Sequence, residues 1–188
     1  MRSFLFAILV FTIPASAQTV AGPTDRGSLI IDGSASVSRS ETEGQSSTNI
    51  SVQPGLLRFI SNGFAIGGRL GLGYSDHETG SSSSWRVGPS ARLYFGSSPQ
   101  TLKYIGASVL FGSASASSDG PASSESDASI WGVEGVAGLT YMVSRQVGIS
   151  GEVFAARQEN TFELVASPKV TTTSTDYGIR FGLAVFVF

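Results

Sequence analysis

Between Thr48 and Tyr74 the chain alternates residue by residue, in two arms separated by Ser61-Asn62-Gly63. In the first arm, Thr48 to Ile60, one parity holds Ile50, Val52, Pro54 and Leu56. In the second, Phe64 to Tyr74, one parity holds Phe64, Ile66, Leu70, Leu72 and Tyr74, opposite Ala65, Gly67, Arg69, Gly71 and Gly73. Successive side chains of a strand point to opposite faces, so a sustained period of two predicts strands and excludes a helix. Gly63, with Asn62 before it, can adopt the positive φ that a tight hairpin turn requires. A lone hairpin is marginal in water, so it needs neighbours of the same kind.

The rest of the chain supplies them. Strand 1 is expected at Ser28 to Ser38, with Leu29, Ile31, Ala35 and Val37 opposing Asp32, Ser34, Ser36 and Ser38. Strand 4, Trp85 to Phe95, sets Trp85, Val87, Pro89, Ala91, Leu93 and Phe95 against Arg86, Gly88, Ser90, Arg92 and Tyr94. Strand 5 (Leu102 to Ser113) is read with Ile105, Ala107, Val109 and Phe111 outward, which leaves Leu110 opposite them. Strand 6 (Ser129 to Met142) has Trp131, Val133, Ala137, Leu139 and Tyr141 on one face and Glu134 on the other. Strand 7 (Val147 to Ala156) opposes Val147, Ile149 and Val153 to Ser150 and Glu152, and strand 8 runs to Phe188.

The expected links alternate in length. Ser40 to Ser46, Asp76 to Ser83, Ala114 to Asp127 and Arg157 to Thr172 are long and polar. Ser61 to Gly63, Gly96 to Thr101 and Ser144 to Gln146 are shorter. Long links at one end, short links at the other and an even strand number predict an all-β, eight-stranded antiparallel up-and-down transmembrane β-barrel. The long links then face outward, and the short turns and both termini face the periplasm.

Composition agrees. Mean hydropathy is +0.16, yet no apolar run reaches the roughly 18 residues of a membrane helix. Tyr74, Trp85, Trp131 and Tyr177 fall at the outer strand ends, and Phe64, Phe95, Tyr141 and Phe188 at the inner ends. Two aromatic belts flanking small aliphatics match two membrane interfaces. A soluble barrel would bury those rings. Lys+Arg 12 against Asp+Glu 14 leaves a net charge of −2, so no broad basic surface points to nucleic acid.

Residues 1–17 read as a cleaved export signal: Arg2 is the positive region, Phe4 to Ile13 the apolar region, and Ala15-Ser16-Ala17 the cleavage site. Residues 18–27 are expected as a mobile periplasmic tail and 28–188 as the barrel. Loss of Arg2 leaves 11 bases against 14 acids, a net −3.

The inward parity carries Asp32, Arg69, Arg86, Arg92, Glu134, Glu152, Asp176 and Arg180. Eight strands enclose a space that side chains fill, and buried charges must pair. These eight are therefore expected to form a structural charge network that closes the lumen. Glu134 and Glu152 should approach Arg69, Arg86 and Arg92 from the opposite wall. In strand 8, Tyr177, Ile179, Phe181, Leu183 and Val185 share the apolar parity, but Phe186 and Phe188 fall on the other. Either a bulge shifts the phase near Ala184, or both faces are covered at that end.

Three segments resemble the small outer-membrane β-barrel proteins of the OmpA/OmpX-like superfamily. They are Ile50-Ser-Val-Gln-Pro-Gly-Leu-Leu-Arg-Phe, Asn62-Gly-Phe-Ala-Ile-Gly and Val87-Gly-Pro-Ser-Ala-Arg-Leu-Tyr-Phe95, together with the terminal Phe188. The resemblance covers Ser28 to Phe188. It implies a Gram-negative outer-membrane location, delivery by periplasmic chaperones and insertion by the barrel assembly machinery. Phe186 and Phe188 would belong to the assembly signal. It also implies contact with outer-membrane lipids and lipopolysaccharide, and a monomer.

Chemistry is sparse. With no Cys and one His, a Cys nucleophile and a His-rich metal site are excluded. No catalytic, cofactor-binding or metal residue is assigned. Some barrels of this size are lipid A-modifying enzymes with a loop or rim His, but His77-Glu78-Thr79 departs from the His-x-Ser pattern of the deacylases. The expectation is a non-enzymatic barrel that contributes to the envelope and displays outer loops. A porin-like channel and a lipid A-modifying enzyme are the alternatives.

Overall fold

The computed structural model describes residues 22–42, 45–77, 80–96, 98, 100–118, 125–162 and 170–188. The expected export signal, residues 1–17, lies outside them. Eight strands form a closed antiparallel barrel in chain order. They are β1 (Leu29–Thr42), β2 (Gln45–Ser61), β3 (Phe64–His77), β4 (Gly80–Phe95), β5 (Thr101–Ser118), β6 (Glu125–Met142), β7 (Val147–Phe162) and β8 (Val170–Val187).

The pairing is staggered. Stepping across the ladders from Ala35 through Val52, Leu72, Trp85, Ser113, Ser129 and Thr161 arrives at Thr171. Ala35 itself pairs with Phe181, ten residues further along β8. Such a stagger tilts the strands by roughly 40° and leaves an interior only side chains wide. The closing seam is the shortest ladder: β1 pairs with β8 from Leu29 to Ala35, but with β2 as far as Thr42.

Every strand begins or ends at the lower rim, where β1 starts and β8 finishes, within a residue or two of the expected position. The upper rim differs. The segments expected as long polar links are largely strand: β1 continues to Thr42, β4 begins at Gly80, β5 runs to Ser118, and β7 reaches Phe162. These extensions are rich in Ser and Thr, and polar on both faces. The apolar alternation that marks a strand in sequence is therefore missing, while the backbone ladder continues regardless. Hydroxyl pairs line it, such as Ser81–Ser117 and Ser83–Ser115, each 3.3 Å apart.

Residues 22–27 are not a free tail. Gly63 N donates to Thr24 O and Gly27 N to Phe59 O, both at 2.9 Å, and Arg26 N donates to the Asn62 side chain at 3.0 Å. The segment thereby braces the β2–β3 turn. Gly63 in that turn has φ +77°, and a Cβ there would stand 2.8 Å from Tyr94 O. Only glycine fits both constraints.

Alternation of burial follows the sequence parities. In β5, Ile105, Ala107, Val109 and Phe111 are exposed, while Leu102, Tyr104 and Leu110 are buried. In β8 the phase never shifts. Phe181, Leu183 and Val185 face out, Ala184 and Phe186 face in, and the ladders to β1 and β7 run without a bulge. Both faces of the lower end are covered.

Candidate functional site

The lumen holds two stacked layers. The upper one gathers Asp32 (β1), Arg69 (β3), Arg92 (β4), Glu134 (β6), Glu152 (β7) and Arg180 (β8), three cations against three anions, from six different strands. All six side chains are at least nine-tenths buried. Arg180 grips Glu134 with Nη1 to Oε2 at 2.9 Å and Nη2 to Oε1 at 3.0 Å. Arg69 Nη1 donates to the same carboxylate at 2.8 Å. Arg180 Nη1 also donates to the Gln53 side chain. Its Nη2 lies 2.9 Å from Glu152 Oε1, an ion pair without hydrogen-bond alignment. Arg92 pairs with Asp32 and lies 3.7 Å from Glu152. Each charge therefore sees the opposite sign on at least two sides.

Glycine opposite the charges makes room for them. A Cβ at Gly55 would strike the Asp32 carboxylate, and one at Gly138 would lie 2.7 Å from the Tyr104 hydroxyl. Tyr104 donates to Glu152 Oε2 at 2.8 Å, and its ring lies 4.8 Å from the Arg92 guanidinium carbon. Arg180 stacks on Phe154 at 4.1 Å. These rings serve the cations as faces of negative potential.

Arg86 and Asp176 stand apart from this cluster. Contrary to expectation, Arg86 does not reach Glu134 or Glu152. It donates to Gln158 Oε1 at 2.9 Å, and Gln158 Nε2 donates to Asp176 Oδ2 at 2.8 Å. The amide bridges the two charges above the main network. Parity placed Arg86 correctly on the inner wall, but the barrel stagger carries it to a higher level. A polar cup of about 320 Å³ lies here, with Ser36, Ser84, Arg86, Asp176 and Arg180 among its walls.

Below the charges the lumen is apolar, which the sequence parities did not suggest. Ile30, Leu57, Phe59, Ala65, Tyr94, Leu102, Tyr104, Val136, Met142, Ala184 and Phe186 form one buried cluster. Tyr94 is its hub, with ring centroids 5.4 Å from Phe59, 5.2 Å from Tyr104 and 6.4 Å from Phe186. Phe188 packs against this cluster from the lower rim, so its assignment to the outer aromatic belt is corrected. A readable signal exists: the larger inward-parity apolar and aromatic residues gather toward the lower ends of the strands, although Leu110, Ala128, Ile130 and Phe154 stand higher on the same parity. Among the described residues no group of three or more His, Asp or Glu side chains is arranged to hold a metal ion. His77 closes β3, and its side chain lies outside the described part.

The outer wall is apolar over its middle. Tyr74, Trp85, Trp131 and Tyr177 are exposed toward the upper rim, Phe95 and Tyr141 toward the lower one, and Phe64 is half-buried. Trp131 Nε1 donates to Glu159 Oε2 at 2.8 Å. An apolar band between aromatic belts, around a lumen filled with polar and charged groups, inverts the arrangement of a soluble barrel.

Fold, wall and lumen together define a small outer-membrane β-barrel protein. The chain belongs to the outer membrane protein beta-barrel domain family, whose model matches residues 3–181. Among solved structures it is similar to the outer membrane protein OprG from Pseudomonas aeruginosa, at 11% identity with a TM-score of 0.58, covering 89% of this chain and 99% of that one. It is also similar to Neisserial surface protein A, at 21% identity with a TM-score of 0.45, covering 85% and 96%. No curated protein matches it in sequence.

Proposed function

We propose that the protein is a closed, non-enzymatic barrel that contributes to envelope structure and carries four extended hairpins outside the cell. The reading rests on the filled lumen: a neutral charge network of six side chains sits directly above an apolar plug centred on Tyr94. A hydrated path would have to cross both, and an eight-stranded interior offers little other space. The hairpins β1–β2, β3–β4, β5–β6 and β7–β8 project from the upper rim, and their Ser- and Thr-rich surface suits solvent and lipopolysaccharide. The barrel is monomeric in this reading.

Export by residues 1–17 precedes chaperone delivery and insertion. Phe186 is buried in the finished barrel, so the assembly machinery reads it before closure. In planar bilayers the purified protein gives no discrete conductance steps; stable steps would replace this reading with the channel alternative. N-terminal sequencing of the extracted protein starts at Gln18. Protease added to intact cells cuts in the hairpins of the upper rim and spares the lower-rim turn between β4 and β5. A cut there would invert the topology.

A further inference from the structure

Arg58 stands on the outer face of β2, near its lower end, exposed and with no ion-pair partner among the described residues. Beside it a groove of about 620 Å³ is cut into the wall, with Leu56, Ile66, Gly68 and Leu70 along it. A second groove, of about 460 Å³, shares Ile66 and continues over Pro89, Ala91 and Ala107. Register explains both. Gly68 lies between Leu56 and Pro89, so that outward row lacks a side chain, and Ala91 pairs with Ala107 in the next row. A Cβ at Gly68 would meet only Gly88 O, at 3.8 Å, so the space is open.

The dimensions suit a lipid. From Ile66 to Leu70 the strand rises roughly 13 Å, which at a tilt near 40° is about 10 Å of the ~15 Å hydrocarbon depth of one leaflet. We propose that these twin grooves are a phospholipid site, with an acyl chain in each and the lipid phosphate on Arg58. An arginine fork matches a phosphate and is easily freed of water. Occupancy fills a void in the wall that would otherwise forfeit packing contacts. The assignment rests on the orientation proposed above, which places Arg58 at the periplasmic leaflet. Phosphatidylethanolamine and phosphatidylglycerol share the phosphate that Arg58 recognises.

The test is native mass spectrometry of the full chain, released into mild detergent from vesicles of phosphatidylethanolamine, phosphatidylglycerol or both, doped with lipopolysaccharide. One phospholipid should stay bound per barrel. Arg58→Gln should lower its retention about tenfold, the loss of one charge-assisted contact. Gly68→Leu should abolish it while the barrel keeps its heat-modifiable gel shift. Lys103→Gln, which removes another exposed cation outside the grooves, should change nothing. Retention indifferent to Arg58 and Gly68 overturns the site itself. Arg58-dependent retention of lipopolysaccharide in place of phospholipid overturns the proposal through its orientation.

Discussion

Arg180 of β8 holds Glu134 of β6 by both terminal nitrogens, at 2.9 and 3.0 Å, reaching past the intervening strand β7. Such a fork fixes the relative height of the two strands as well as neutralising both charges. The same carboxylate receives Arg69 from the far wall, so one residue ties three strands together.

Removing either partner strands a buried charge, which costs on the order of 3 kcal/mol. Glu134→Gln and Arg180→Met should each lower the unfolding free energy of the barrel in lipid vesicles by that amount, read as a shift of the urea midpoint. The double change should lose clearly less than the sum, because the orphaned charge is gone. Arg58→Gln, on the outer face, should move the midpoint little. Strict additivity of the two lumen changes would show that the pair is not coupled.

Tyr94 joins the two lumen layers, and its ring and hydroxyl can be tested apart. The ring packs on Phe59, Tyr104 and Phe186, whereas the hydroxyl receives one long bond, from Arg92 at 3.4 Å. Tyr94→Phe should cost no more than about 1 kcal/mol, and Tyr94→Ala about 3–5 kcal/mol through the cavity it leaves. Equal losses would mean that the hydroxyl, not the packing, holds the plug.

Strand parity was legible in the sequence almost everywhere, because one residue of slip would turn every apolar side chain to the wrong face. That is why Asp32, Arg69, Arg92, Glu134, Glu152 and Arg180 could be assigned to the lumen from sequence. Height along the barrel was not legible. It depends on the ten-residue stagger, a property of the whole ladder, so Arg86 was grouped with acids that it does not meet. Tyr94 shares its parity with Arg92, and only its position two residues lower puts it in the plug. The polar strand extensions were missed for a different reason: Ser81 to Ser84 present no apolar face, and nothing local distinguishes such a ladder from a loop.

The β1–β8 seam should be the first part of the barrel to open. Beyond Ala35 on β1 and before Phe181 on β8, amides facing the seam have no partner in that ladder. The β5–β6 ladder, by contrast, extends to Ser117 and Glu125. Hydrogen exchange of the reconstituted protein should therefore show seam-facing amides of Val37 to Thr42 and Val170 to Ile179 exchanging at least about tenfold faster than those at equal height in β5 and β6. Equal protection would require a zipped seam.

Phe186 and Phe188 separate stability from assembly. Phe186 is fully buried within the plug, while Phe188 only packs against its lower edge. Phe186→Ala should therefore lower the unfolding free energy by about 3–5 kcal/mol, the range for a large core residue replaced by Ala. Phe188→Ala removes less buried area and should cost roughly 1 kcal/mol. If the terminal residue belongs to the assembly signal, the order reverses in cells: Phe188→Ala should reduce the fraction of heat-modifiable, membrane-inserted protein far more than its small effect on the purified barrel accounts for. Urea midpoints of refolded protein and inserted yield from membranes, taken on the same two variants, decide it. Yields that simply follow the midpoints would leave Phe188 as a packing residue and remove it from the signal.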